Sequence, residues 1–344
     1  MEFHELAMQT LYSEAVEEAS TQRTIQLDSP GSPFNRVISG NEYVYWRFYR
    51  GGKRLEESLG RAGTPETEEK LAQKHHTQRE LVSLARKAQL LRAAKFAAAD
   101  NNAAITLASM YNAGLFVHGA VLVGSHAYGA LLNNLGIRPV RNYQTNDVDV
   151  GTTGKIAVAI PGDRSFLDVL RDSGLRFLEV PELDPRKAAT SFKVAGQQLK
   201  VDLLVPGTMA YESHRLPGLK ANATGLPFFG YLLSRTVAAS VIGKDHVIPL
   251  TVPHPAYFAL HKLIVSTLRI DTRAEKSQKD LQQAMVLLEA MLQLYPAEVD
   301  EAERALADDA RVRVGQAATR ALTVARHPAS EQLADYLENL SGFH

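Results

Sequence analysis

The 344-residue chain contains no cysteine. That excludes disulfides, thiolate metal centres and a cysteine nucleophile. Net charge is also missing, because 38 Lys and Arg balance 38 Asp and Glu. Attraction of the whole molecule to nucleic acid is therefore not expected, and any such binding has to use a local patch. No apolar run reaches the roughly 18 residues that a membrane helix needs. The first residues lack the basic-then-apolar pattern of a secretion signal. Together these absences lead us to expect a cytoplasmic protein with no membrane partner. There is no internal repeat and no low-complexity tract. A chain of this length can bury a sizeable core and hold two or three units.

What is present is organised around residues 117–151. The apolar run from Val117 to Val123 is short and rich in β-branched residues, which predicts a buried strand. Gly124-Ser125 ends it, and His126 to Leu135 reads as a helix. A loop with Gly136 and Pro139 leads to Asp147-Val148-Asp149-Val150. In a strand, residues two apart share a face, so both acids point one way and both valines point into the core. Two carboxylates about 7 Å apart along a strand repel each other and resist ionisation. A hard divalent cation with oxygen ligands relieves that, and Mg²⁺ usually takes one or two carboxylates plus substrate phosphates. Strand, Gly-Ser, helix start offers free backbone N–H groups and the positive end of a helix dipole to those phosphates. Gly124 permits close approach and Ser125 adds a hydroxyl donor. Asp202 is the one acid in the apolar run Leu199 to Val205. It is the candidate third ligand for a pair of Mg²⁺ ions.

This order of features resembles the nucleotidyltransferase (polymerase-β-like) superfamily. Its wording is similar to a bacterial subgroup of unassigned substrate. Gly124 and Ser125 match the Gly-Ser signature, Asp147 and Asp149 the paired metal ligands, and Asp202 the third acid. The spacer between Ser125 and Asp147 is longer than usual. Further on, Lys262 and Lys279-Asp280 match the helices of abortive-infection and toxin members, but Gln283 stands where those carry a final Asp. The resemblance implies that Lys262 faces the triphosphate and that Asp280 orients the helix pair. It implies a Mg²⁺-dependent enzyme moving a nucleoside monophosphate from a triphosphate to an acceptor hydroxyl. An RNA 3′ end is the favoured acceptor, over a protein or a small molecule. An antitoxin partner follows if the protein is a toxin or a phage-defence component. The alternative is an inactive module of the same fold that binds nucleic acid or a partner protein.

The expected fold is α+β. A mixed-sheet core over 101–252 follows an N-terminal helix, hairpin and long helix over 1–100. A helical domain fills 253–344. Residues 1–20 read as an amphipathic helix and 28–41 as a connector. The run Tyr43 to Arg50, then Gly51-Gly52, then Lys53-Arg54 reads as a hairpin. Arg47, Arg50, Lys53 and Arg54 are candidate nucleic-acid contacts, cations for phosphate beside tyrosines for stacking. Thr64-Pro65 starts a helix expected to run to about residue 99. Residues 206–246 are expected to be irregular; they could roof the site, with His214 and Arg215 as minor candidates, but a plain surface loop is the favoured reading. Lys193 and Lys200 lie beside the third acid and could contact phosphate, but a solvent-facing place on an edge is the favoured reading for each.

Overall fold

The computed structural model describes residues 1–27, 30–50, 53–139, 146–153, 164–181, 188–208, 212–269, 274–324 and 330–343. The hairpin turn at Gly51-Gly52 and the side chains of Arg50 and Lys53 lie outside them.

α1 (Leu6–Ser20) buries Tyr12, Ala15 and Ala19. β1 (Ser32–Ile38), β2 (Asn41–Arg50) and β3 (Lys53–Arg61) form an antiparallel sheet. The expected connector is thus mostly strand: pairing with β2 satisfies its backbone, and the aromatic β2 supplies the cross-strand contacts. β2 turns Val44 and Trp46 inward onto Leu59 and Leu71. α2 (Pro65–Ala93) has Pro at its first turn, but the Thr64 hydroxyl bonds Arg61 O and Thr67 Oγ1 rather than capping the helix. It stops six residues short of expectation. Lys95 takes φ +66°, and Ala98 then bridges to Ile242. Leu84, Ala88 and Leu91 of α2 pack with α1, Phe96, Ile242 and Val247. α3 (Asn101–Asn112) is capped by Asp100, which accepts from Asn102 N and Ala103 N.

The second sheet is mixed and carries the site. Its strands are β4 (Val121–Val123), β5 (Asp147–Gly151), β6 (Phe177–Glu179), β7 (Ser191–Val194), β8 (Lys200–Pro206), β9 (Ser213–Leu216) and β10 (Ala221–Leu226). α4 (Gly124–Asn134) follows β4 directly, and α5 (Phe166–Arg171) starts with a Ser165/Asp168 capping box. β8 is central. β5 runs parallel along one side, and the other side is shared by antiparallel β7 and parallel β10. Residues 206–246, expected to be irregular, contribute β9, β10, a short helix α6 (Phe229–Leu233) and β11 (Thr236–Ile242). The Gly and Pro residues there punctuate short strands whose partners are distant in sequence. β11 pairs with β12 (Val247–Pro253).

α7 (Pro255–Leu268) and α8 (Ala274–Leu294) pack on each other, with α9 (Pro296–Arg304), α10 (Asp308–Val324) and α11 (Glu331–Ser341) beyond. One continuous apolar cluster takes in Ile25 and runs from Ala99 through the second sheet to Leu340, so these helices share the core of that sheet.

Candidate active site

β5 and β8 pair in parallel with Asp149 opposite Asp202 and Asp147 opposite Lys200. Alternation does the sorting. Val148, Val150, Val201 and Leu203 are all 1% exposed or less, while Asp147, Asp149, Lys200 and Asp202 share the half-open face. Neighbouring strands lie about 4.8 Å apart, so Asp149 and Asp202 present their carboxylates side by side. Burial pushes Asp149 up to about 6, with repulsion from Asp202 and then Asp147 adding to it, while Lys262 and Lys200 pull it back.

β4 lies on the other side of β5, with Val123 opposite Asp149. The chain turns there from strand into helix at Gly124, which has φ +69°. A Cβ at this position would collide with the Asp149 carboxylate oxygen Oδ2. Glycine is therefore required by the acid as well as by the turn. It sets Asp149 against the positive end of α4. One residue on, Ser125 Oγ receives a hydrogen bond from Lys279 Nζ at 3.1 Å. Burial and the nearby Lys262 lower the pKa of Lys279.

Asp202 is held from two sides. Ser191, its partner on β7, donates Oγ to Oδ1 at 2.5 Å, and Lys200 Nζ sits 2.9 Å from Oδ2. The expectation that Lys200 faces solvent is corrected. Its ammonium lies on the acid face because positions 200 and 202 share one side of β8. Lys193 is exposed, as expected. Among the described residues, no three His, Cys, Asp or Glu side chains gather around a common metal position. The acid set is all carboxylate oxygen, which suits a hard divalent cation. The charged partner of Asp202 in this arrangement is Lys200.

Lys262 on α7 and Asp280 on α8 form a buried pair at 2.6 Å, and Arg269 Nη1 reaches the other Asp280 oxygen at 2.5 Å. Lys262 also lies over the Phe258 ring at 5.3 Å, and its field reaches Asp149. Two buried histidines border the region. Burial lowers His126 to about 4 and His261 to about 3, so both are neutral near neutrality, and each leaves Nε2 without a hydrogen-bond partner. The Gln283 amide is likewise buried and unpartnered.

A nucleotidyltransferase family model matches residues 101–308. The chain belongs to the nucleotidyltransferase family. No significant match to a curated protein or to a solved structure accompanies it. The matched span of this nucleotidyltransferase contains all three acids, Gly124-Ser125, Lys262, Lys279 and Asp280, and leaves β1–β3 outside. No helix among the described residues is long and apolar enough to cross a membrane.

The sequence missed three contacts here: Lys279 on Ser125, Lys200 on Asp202, and Arg269 on Asp280. The Lys-Asp pair at 279–280 was visible, but not that its two side chains serve different partners. His214 and Arg215 lie on β9, separated from the Asp202 strand by β10. Arg47 and Arg54 lie on one face of the N-terminal sheet, both within reach of Glu56.

Proposed function

We propose that this nucleotidyltransferase moves a nucleoside monophosphate from a nucleoside triphosphate to an acceptor hydroxyl, with an RNA 3′ end as acceptor. The observation that carries this is Asp149 set in register with Asp202, directly beside the Gly124-Ser125 start of α4. Asp147, Asp149 and Asp202 would hold two Mg²⁺ ions. Such ions neutralise the attacking and leaving oxygens of an in-line displacement. Backbone N–H groups at Gly124 and Ser125, with Lys279 hydrogen-bonded to Ser125, would receive the β- and γ-phosphates. Lys262, tied to Asp280, adds positive field towards Asp149. The acceptor oxygen bonds to the α-phosphorus, and the bond from that phosphorus to pyrophosphate breaks. The hydroxyl proton passes to Asp202, whose orientation Ser191 and Lys200 fix.

The test is incorporation of labelled triphosphates, all four in turn, into total RNA and into protein. Wild type should label RNA, and Asp149→Asn should lose at least 100-fold, the scale expected when a group that acts on the transition state is removed. Equal labelling by both proteins would remove the proposal.

One observation favours the rival reading, an inert module: the Lys200 ammonium already sits on Asp202. Calorimetry with Mg²⁺ and triphosphate separates the two, since absence of heat for both ligands supports the module. The toxin or phage-defence reading draws only on the resemblance at Lys262 and Lys279-Asp280. A growth defect on expression of wild type but not of Asp147→Ala would support it.

A further inference from the structure

The outer face of the N-terminal sheet carries an ordered lattice that the transfer site does not use. The register puts Phe34 opposite Tyr45 and Arg47 opposite Glu56. The Phe34 and Tyr45 rings stack at 5.6 Å. The Arg36 guanidinium lies 4.8 Å from the Tyr45 centroid, and that of Arg47 lies 4.2 Å from the Phe34 centroid. Arg36, Arg47 and Arg54 all turn to one carboxylate, Glu56. Three cations against one anion leave a local excess of positive charge on a chain whose total is zero. Each guanidinium has five N–H groups, far more than one carboxylate can accept, so donors remain for another partner. The opposite face is covered, with Val44, Trp46 and Leu59 packed on α2. The lattice is therefore what the sheet presents to solvent.

We propose that this face holds single-stranded nucleic acid, the strand whose end the transfer site modifies. A guanidinium laid on an aromatic ring is pre-oriented and weakly hydrated. Its edge meets phosphate and its free plane stacks a base. An acidic peptide would need the cations but not the rings. A duplex hides its base faces, so stacking platforms select single strands. The location fits the task. α2 is anchored on the body at Leu84 to Leu91 and supports the sheet at Leu71. Further along the helix His75 packs on Trp46 and Gln78 donates Nε2 to Gly31 O just before β1, so neighbouring stretches of one helix carry the sheet and join it to the body.

The proposal rests on the transferase reading only for the identity of the strand's end, and its test is a binding measurement. Fluorescence anisotropy of the full chain with a labelled single-stranded RNA of about 20 nucleotides is followed across salt concentrations. The same sequence as single-stranded DNA and as duplex forms the other arms. Wild type should bind either single strand more tightly than duplex. Arg36→Ala combined with Arg47→Ala should weaken binding at least 10-fold and reduce the salt slope by about 1.4, roughly 0.7 per lost phosphate contact. Glu56→Gln, which removes the one anion, should tighten it. Equal binding by wild type and the double variant, tighter binding of duplex, or weaker binding by Glu56→Gln would each overturn the proposal. Asp149→Asn should bind RNA like wild type. If wild type fails to incorporate nucleotide yet these binding results hold, the transfer reading falls and the surface stands.

Discussion

Asp280 and Glu56 do the same thing in opposite surroundings. Asp280 is 3% exposed and joins Lys262 of α7 to Arg269 at the end of that helix. Glu56 lies on an open sheet and collects Arg36, Arg47 and Arg54. Inside, Asp280 has left water and Lys262 nearly so, while Arg269 keeps one edge in solvent, and the bonds between them are what makes the burial of Asp280 tolerable. Outside, water competes for every group, and the pairs add little to stability. The buried cluster therefore fixes α7 against α8 and holds Lys262 and Lys279 near the acids. The exposed one keeps its cations ordered but available. An ion cluster is a structural joint or a binding surface according to the solvent around it.

The sharpest way to break this comparison is Asp280→Ala. It leaves Lys262 half-buried without its counter-charge, and we expect a loss of about 3–5 kcal/mol in urea unfolding. A loss no larger than that of a surface charge would show that the buried cluster is not a joint.

A second, smaller effect concerns pH. His261 is fully buried next to Lys262, and burial followed by the charge of Lys262 lowers its pKa to about 3. Its folded pKa is below the unfolded value, so the unfolded chain takes up a proton that the folded chain refuses. Stability from this site is complete above about pH 6.5 and is lost as pH falls towards 3, by about 1.4 kcal/mol per pH unit. Asp149 works in the other direction. Its raised pKa makes the fold less stable as pH rises from about 4 to about 6. Comparing wild type with His261→Asn cancels that contribution. Between pH 7 and pH 5 wild type should lose about 2 kcal/mol more than the variant. Parallel pH profiles would disprove the assignment.

The smallest effect belongs to the exposed cluster. Its arginines, Arg54 first, hold the Glu56 carboxyl below the usual range, but in open water. Glu56→Gln should leave the melting temperature unchanged. A clear fall would mean that the lattice supports the sheet and is not merely carried by it.

The sequence made the acids legible because alternation is a local signal. Asp147, Val148, Asp149 and Val150 sort by face without knowledge of any partner strand, and Asp202 stands out by being alone in an apolar run. The nucleotidyltransferase core followed from their order. What stayed hidden depends on register between distant segments. β1 has Pro33, Asn35 and Ser32 in it and reads as a loop until β2 is known to lie beside it. The strand β10 is Gly-containing and short, and only its place next to β8 makes it part of the sheet. Lys200 looked like an ordinary edge lysine because nothing local shows that β5 brings Asp147 opposite it. Lys279 and Ser125 are 154 residues apart. Their contact is a product of helix packing, which leaves no trace in the spacing of either segment.

Lys200 has a consequence for how the protein comes to be. Three like charges on two adjacent strands would oppose the pairing of those strands during folding. The chain brings its own cation to that spot, two residues along β8 from Asp202 and across from Asp147. That sheet can therefore assemble in water that offers no metal at all, with an amine already seated among its acids.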